Sequence, residues 1–421
     1  MQTPEKRYEL IGTPLAQSFS KPIHEALGAY AFHLHELPNE AAVAEYLTRK
    51  EFGGCNVTIP YKQTVMPFCN AIDERAARIG AVNTIVNNNG KLTGYNTDYD
   101  GFALMLERKN IRLGGKKVLL LGGGATSKTV TAVAQDAGAT EIKIAARNPQ
   151  NGQLSFEEAM QRGDFEVIVN VTPVGMYPHN GETLVDLTRF NNLTAVADVI
   201  YNPLKTRLIL DAEALGIPTA GGLPMLVGQA VGSARLYTGL PFGPQKVERV
   251  LAQTAQRFAN ILLIGMPSSG KSKLGKAVAK KLHKEFLDLD TALVQKAGKP
   301  IPQIFAEDGE AYFRQLETEV LAEETKLPGR VLSTGGGVVT QSRNLPLLHQ
   351  NGVVVFINRP LALLQTGKGR PLSSSPAALE TMAKQRLPLY RQAANIEVEN
   401  NAPFMQVVHK ILEETNEFFD Y

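Results

Sequence analysis

Short apolar runs alternate with amphipathic stretches along nearly the whole chain. KVLLL (117–121), EIKIAA (141–146), FEVIVNV (165–171) and AVADVI (195–200) read as strands, and stretches such as KTVTAVAQDAG (128–138) between them read as helices. That alternation marks α/β units with parallel strands. The first hundred residues carry it too: RYELIG, a helix near PIHEALGAYA, FHLHEL, a helix near NEAAVAEYLTRK, then GCNVTI. From Phe258 the pattern restarts with strand NILLIG, a helix, FLDLD, a long helical stretch, strands RVLSTGG and VVVFI, and helices to the end. QKVERVLAQTAQRF has helical spacing of Val247, Leu251 and Ala255 and runs almost directly into NILLIG. No Gly/Ser or Pro tract intervenes, so a short, stiff junction is expected near residues 256–259.

A length of 421 residues exceeds one ordinary core and implies two or three domains. A hydrophobic share of 43% and a charged share of 20% are ordinary for a soluble chain. The net charge of +3 is spread thinly, which gives no case for nucleic acid or a membrane surface as partner. Two cysteines, Cys55 and Cys69, form no disulfide framework and fit reduced thiols. The start, MQTPEKRYEL, lacks the apolar segment of a signal peptide, and no apolar run approaches a membrane span. A cytoplasmic enzyme with small-molecule partners is the expectation; oligomeric state leaves no trace in composition.

The first chemical signal follows KVLLL. Gly122, Gly123, Gly124, Ala125, Thr126 and Ser127 lead from strand to helix, where glycines let backbone approach a pyrophosphate. Ser127 stands where the fingerprint has Gly or Ala. After the next strand comes Arg147, where an acidic residue would hold an unphosphorylated ribose; a cation suits a 2′-phosphate, hence NADP(H). Read alone, these residues also fit an ordinary turn and a surface arginine.

Ahead of this turn lie polar clusters: Ser18 and Ser20 in LAQSFSKP, Thr58 and Lys62 in NVTIPYK, Asn83 in GAVNTI, Asn96 and Asp98 in GYNTDYDGF. With NVTPVGMYP, DVIYNPLKTRLI and GLPMLVGQA further on, they resemble the shikimate dehydrogenase family over essentially the first 255 residues. The resemblance implies that Ser18 and Ser20 hold the substrate carboxylate. It implies that Thr58, Asn83, Asn96, Asp98 and Gln229 hold ring hydroxyls, and that Lys62 and Asp98 are the catalytic pair. Tyr201, Gly222 and Met225 would line the nicotinamide end. Reducing a ketone takes a hydride at carbon and a proton at oxygen, which a positioned lysine can supply. Two serines at 18 and 20 favour shikimate over quinate, which is kept as an alternative substrate.

The second signal is GMPSSGKSK (265–273), a GxxxxGK[ST] loop between strand and helix. Its backbone, with Ser268, Ser269, Gly270, Lys271, Ser272 and Lys273, would cradle phosphates, Lys271 would reach the β/γ oxygens and Ser272 would ligate Mg²⁺. The loop alone leaves ATPase, GTPase and small-molecule kinase open. FLDLD adds Asp288 and Asp290, expected on one strand and one face. Arg314, the glycines of LSTGGGVV, Arg370 and Arg386 follow, in an order resembling shikimate kinase from 258 to about 415. That resemblance implies Asp288 on Mg²⁺, Asp290 on the substrate hydroxyl as catalytic group, and Arg314, Gly336 and Arg386 at the substrate. Arg370 would belong to a lid and act on the transferring phosphoryl group. The lid looks short, which predicts slower turnover.

The expected chain is α/β throughout: an N-terminal α/β substrate domain (1–98, completed by about 223–257), a Rossmann NADP-binding domain (99–222) and a P-loop kinase domain (258–421). The expected activities are NADPH-dependent reduction of 3-dehydroshikimate to shikimate, then MgATP-dependent phosphorylation to shikimate 3-phosphate, toward chorismate and aromatic amino acids. A catalytically silent sensor of the same metabolites is the alternative; the presence of Lys62, Asp98, Lys271, Asp290 and Arg314 counts against it.

Overall fold

A computed structural model describes residues 7–16, 18–28, 30–150, 152–364 and 375–419. Two units emerge, Met1–Tyr201 with Thr206–Thr254, and Asn202–Lys205 with Ala255–Tyr421. No described helix is long and apolar enough to cross a membrane.

The first unit holds two sheets. One has six strands in the order Phe32–Glu36, Tyr8–Gly12, Gly54–Val57, Thr84–Asn88, Lys91–Tyr95, Ala71–Ile72. It is mixed, not wholly parallel as the alternation implies: Thr84–Asn88 runs antiparallel to both its neighbours. The cause is the turn Asn89–Gly90, whose φ angles of 53° and 86° suit a two-residue hairpin. The other sheet is parallel, in the order Thr219–Ala220, Ala195–Asp198, Val167–Asn170, Lys117–Leu121, Glu141–Ala145. Its chain order reverses beside Lys117–Leu121, the crevice at which such sheets bind ligands.

The helix Ser20–Leu27 begins two residues before Pro22 and ends at Gly28, short of the predicted PIHEALGAYA. Helices Asp98–Arg108 and Leu223–Thr238 pack at glycine: a Cβ on Gly101 would lie 2.4 Å from Met225 O. That approach joins Asp98, at the start of one helix, to the element carrying Gln229.

The helix Pro244–Phe258 is followed after one residue by strand Asn260–Ile264, so the junction is short. In the second unit this strand is central, in the parallel order Glu285–Asp288, Arg330–Ser333, Asn260–Ile264, Gly352–Asn358, Ile396–Glu399. All five residues of Asn260–Ile264 are buried, and its carboxyl end opens into the phosphate-type loop. The long helical stretch is three helices, Leu289–Ala297, Ile301–Glu307 and Gly309–Glu324, broken where Gly298 and Pro300 intervene and again at Gly309 (φ 82°).

Candidate active sites

At the first sheet the polar clusters collect at one end of the strands. Tyr8–Gly12, Gly54–Val57 and Lys91–Tyr95 all end there, and Thr84–Asn88, running the other way, begins there. Lys62 Nζ donates to Asp98 Oδ2 at 2.6 Å, with the two side chains only 15% and 10% exposed. The other carboxylate oxygen accepts from Asn83 Nδ2 at 2.9 Å, and Asn83 Oδ1 accepts from Thr97 N at 2.7 Å. Thr58 is half-buried beside Gly12, and Ser18 Oγ accepts from Ser20 N. Gln229 donates its amide to Leu226 O one turn back. Asn96 does not join the cluster through its amide: Nδ2 donates to Ala81 O and Oδ1 accepts from Tyr99 N. The ring of Tyr201 lies 5.2 Å from that of Phe19, between the two serines, and burial raises the Tyr201 hydroxyl pKa.

At the second sheet Gly122 has φ 108°, and a Cβ there would lie 2.4 Å from Thr172 Cγ2. Gly124 caps the helix Ala125–Asp136, whose N-terminal amides suit a phosphate. Ser127 donates back to Gly124 O at 2.6 Å, so the residue at the third fingerprint position closes the turn from within. Arg147 is exposed and has no partner among the described residues. Gly222 caps the helix that carries buried Met225, pressed so closely on Val199 that any side chain would clash. These features fit a dinucleotide at the sheet's switch point.

In the second unit a cavity of about 330 Å³ is lined by Ser268, Lys271, Ser272, Asp288, Asp290, Arg314, Glu317, Gly336 and Arg386. The Lys271 ammonium donates to Gly265 O and Met266 O, folded onto the loop it would leave for a phosphate. Ser269 Oγ is buried with no partner among the described residues, so the loop retains a free polar atom. Ser272 Oγ donates to Asp288 Oδ2 at 2.5 Å and lies 3.1 Å from Ser333 Oγ. This hard oxygen set, with one carboxylate, fits Mg²⁺ shared with phosphates. Lys273 points elsewhere, its ammonium 4.9 Å from the Phe404 ring centre. Ser268 holds φ 63°, a left-handed conformation that a glycine would take without strain.

The strand expectation for the acidic pair is corrected. Asp288 ends its strand, but Asp290 sits in the first turn of Leu289–Ala297 and donates its N–H to Asp288 Oδ1. Both still line the cavity, because Asp288 caps the helix rather than alternating with Asp290 along a strand. Arg314 is gripped by Glu310 through Nε and Nη2 and by Glu317 through Nη1. Arg386 Nη1 donates to Gly336 O at 2.9 Å. Arg370 and the rest of the lid lie outside the described residues.

Residues 10–85 match the family model of the shikimate dehydrogenase substrate binding domain, and residues 267–416 match that of shikimate kinase. Shikimate dehydrogenase (NADP(+)) of Clostridium beijerinckii is 35% identical over 245 residues, covering 55% of this chain and 91% of its own length. The corresponding Geobacillus kaustophilus protein is 36% identical over 257 residues, covering 56% of this chain and 93% of its own. The chain belongs to the shikimate dehydrogenase family. Among solved structures, the Thermus thermophilus shikimate 5-dehydrogenase with NADP(H) and shikimate aligns at TM-score 0.54 and 30% identity, covering 58% of this chain and 99% of that one. A chorismate mutase/shikimate 5-dehydrogenase fusion from Clostridium acetobutylicum aligns at TM-score 0.56 and 32% identity, covering 59% and 96%. This shikimate dehydrogenase is thus fused to a shikimate kinase unit, two enzymes of one pathway in a single chain.

Several residues of the chain escape sequence reasoning. Glu317 is buried, its carboxyl pKa pushed up by burial and held back by Arg314, and its Oε1 has no partner among the described residues. Asn400 donates to Ser269 O at 2.7 Å and pins the phosphate loop from the far end of the chain. Gln153 accepts from Gln150 N through Oε1, which turns Nε2 toward Gly123, 3.4 Å from where a Cβ would stand. Nε2 has no partner among the described residues and is a donor at the dinucleotide turn. The expectation of helices to the end also missed the strand Ile396–Glu399, a short edge strand beside Gly352–Asn358, and with it the position of Asn400 just past its end.

Proposed function

We propose that the first unit reduces 3-dehydroshikimate to shikimate with NADPH, and that the second phosphorylates the 3-hydroxyl of shikimate with ATP and Mg²⁺. The supporting observation is that both units keep their chemical groups in place, Lys62 on Asp98 and Lys271–Ser272 beside Asp288–Asp290. A sensor that only bound these metabolites would not need either set.

In the first unit Ser18 and Ser20 take the substrate carboxylate, while Thr58, Asn83 and Gln229 hold the ring. Asn83 fixes one oxygen of Asp98, so the other fixes Lys62. Lys62 delivers the proton to the carbonyl oxygen and, in reverse, takes it back; Asp98 keeps the ammonium aimed. The nicotinamide, when bound, supplies the hydride. Gly122–Ser127 would hold its pyrophosphate, and Arg147 with Gln153 its adenosine ribose phosphate.

In the second unit Arg314 and Arg386 take the shikimate carboxylate in forked geometry. Asp290 orients the attacking hydroxyl and accepts its proton. Lys271 leaves the loop carbonyls for the β/γ oxygens, and Ser272 and Asp288 would hold Mg²⁺. Positioning and electrostatics carry the rate here, with Arg370 assigned to the transferring group. The domain reading is 1–98 with about 223–257, 99–222, and 258–421. Mass spectrometry of the reaction tests this: NADPH with 3-dehydroshikimate should yield shikimate, and added MgATP should yield shikimate 3-phosphate. Binding of shikimate without turnover by either unit would overturn the proposal.

A further inference from the structure

Beyond the substrate cavity, the second unit has an outer cleft of about 730 Å³ formed by helices Gly309–Glu324 and Pro376–Ala393 and the short turn Val338–Thr340 with the residues after it. Its wall includes three guanidiniums, Arg314, Arg343 and Arg386, with the carboxamides of Gln341 and Gln385; Glu310 is its one carboxylate. Arg314 and Arg386 also line the substrate cavity, so the two spaces share them. Arg343 belongs to the outer cleft alone. Its Nε donates to Thr318 Oγ1 at 3.2 Å, and its terminal nitrogens have no partner among the described residues.

Glu310 and the buried Glu317 both pair with Arg314, so the excess positive charge and the open planar donors of the cleft rest on Arg343 and Arg386. That combination recognises carboxylate or phosphate. The volume falls within the range of small-molecule sites. Glu310 already fills the Nε/Nη2 fork of Arg314 from outside, as an oxyanion ligand would.

We propose that this cleft is a second oxyanion site, for a small carboxylate or phosphate, set back to back with the substrate cavity. An outer anion held by Arg343 draws on Arg386, which lines both spaces, and so weakens the inner site's hold on a substrate carboxylate; by linkage the substrate weakens the outer anion equally. The coupling rests on the assignment of the inner cavity to shikimate, whereas the site itself does not.

The test uses the full chain with the phosphate loop filled by a non-hydrolysable ATP analogue. Inorganic phosphate is titrated and followed by ³¹P NMR, with potassium chloride at matched ionic strength as control. Phosphate should bind, and Arg343→Gln should weaken binding about fivefold, the scale of one exposed charged contact. Glu310→Gln should strengthen it. In kinase assays at saturating MgATP, phosphate should raise KM for shikimate at constant kcat. Shikimate itself, at high concentration, should inhibit if the carboxylate is the better ligand. Arg343→Gln should leave the basal parameters unchanged and relieve both effects. Phosphate binding indifferent to Arg343, inhibition competing with MgATP, or no binding of either anion overturns the proposal. A chain that does not phosphorylate shikimate, yet binds phosphate in an Arg343-dependent way, refutes the assigned kinase reaction and leaves the site standing.

Discussion

Replacing Gly337 by alanine isolates the Arg314 guanidinium. The backbone at Gly337 has φ −103° and ψ −1°, which alanine adopts without strain. A Cβ there would stand 2.0 Å from Arg314 Nη1 and 2.5 Å from both Cζ and Nη2. Contact at van der Waals separation requires the guanidinium to move by on the order of 1 Å. Arg314 is nearly buried and held by Glu317 at 2.8 Å and Glu310 at 3.0 Å, so the shift costs charged hydrogen bonds. Each is worth roughly 1.5–3 kcal/mol. Losing about 2 kcal/mol of the grip on a substrate carboxylate raises KM for shikimate roughly 30-fold. KM for ATP should stay within twofold or so, since the phosphate loop is untouched. The dehydrogenase activity of the same molecules serves as an internal measure of intact protein. An unchanged KM for shikimate in Gly337→Ala would refute the role given to Arg314.

Lys62→Ala and Asp98→Asn should each lower dehydrogenase kcat by roughly 10²–10⁴-fold, the range for a positioned acid–base group, with kinase rates unchanged; a loss confined to KM would contradict this. Arg147→Ala should raise KM for NADPH and leave that for NADH, and Gln153→Glu should do the same by repelling the ribose phosphate; equal kcat/KM for both cofactors in the parent protein would contradict both roles. His24 is wholly buried on Phe32, and burial lowers its pKa from 6.5 to about 3, so the unfolded chain binds the extra proton between these values. The His24 contribution to stability is therefore full above pH 6.5 and falls as pH drops, by roughly 2 kcal/mol at pH 5; urea midpoints followed by hydrogen exchange over residues 20–36 should show His24→Phe gaining stability relative to the parent chain as pH falls from 6.5 to 5. Asp198 acts in the opposite sense: burial raises its pKa from 3.8 to about 7, so its contribution is present below pH 4 and lost toward pH 7. Asp198→Asn should therefore steepen the acid side of the same curve, and parallel curves for the two variants would contradict the assignment.

The strand-to-helix turns were legible because local rules decide them: apolar strand, glycine turn, helix start. What depended on tertiary partners was not. Asp290 looks like a strand residue in FLDLD, yet the Asp288 carboxylate caps a helix that begins at Leu289. The hairpin at Asn89–Gly90 carried a local signal and reversed one strand, but the surrounding α/β rhythm masked it. Asn96 matches a ring-binding position, but the carbonyl of Ala81 claims its amide. Glu317 lies three residues along the helix from Arg314, where the pair reads as an ordinary helical contact. Burial turns it into part of the site.

The central claim is that one chain carries two consecutive chemical steps. The direct measurement supplies 3-dehydroshikimate, NADPH and MgATP to the parent chain, to Lys62→Ala, to Lys271→Ala, and to an equal mixture of the two variants. The account predicts shikimate 3-phosphate from the parent and from the mixture, shikimate alone from Lys271→Ala, and neither product from Lys62→Ala. Absence of shikimate 3-phosphate from both the parent and the mixture would contradict it.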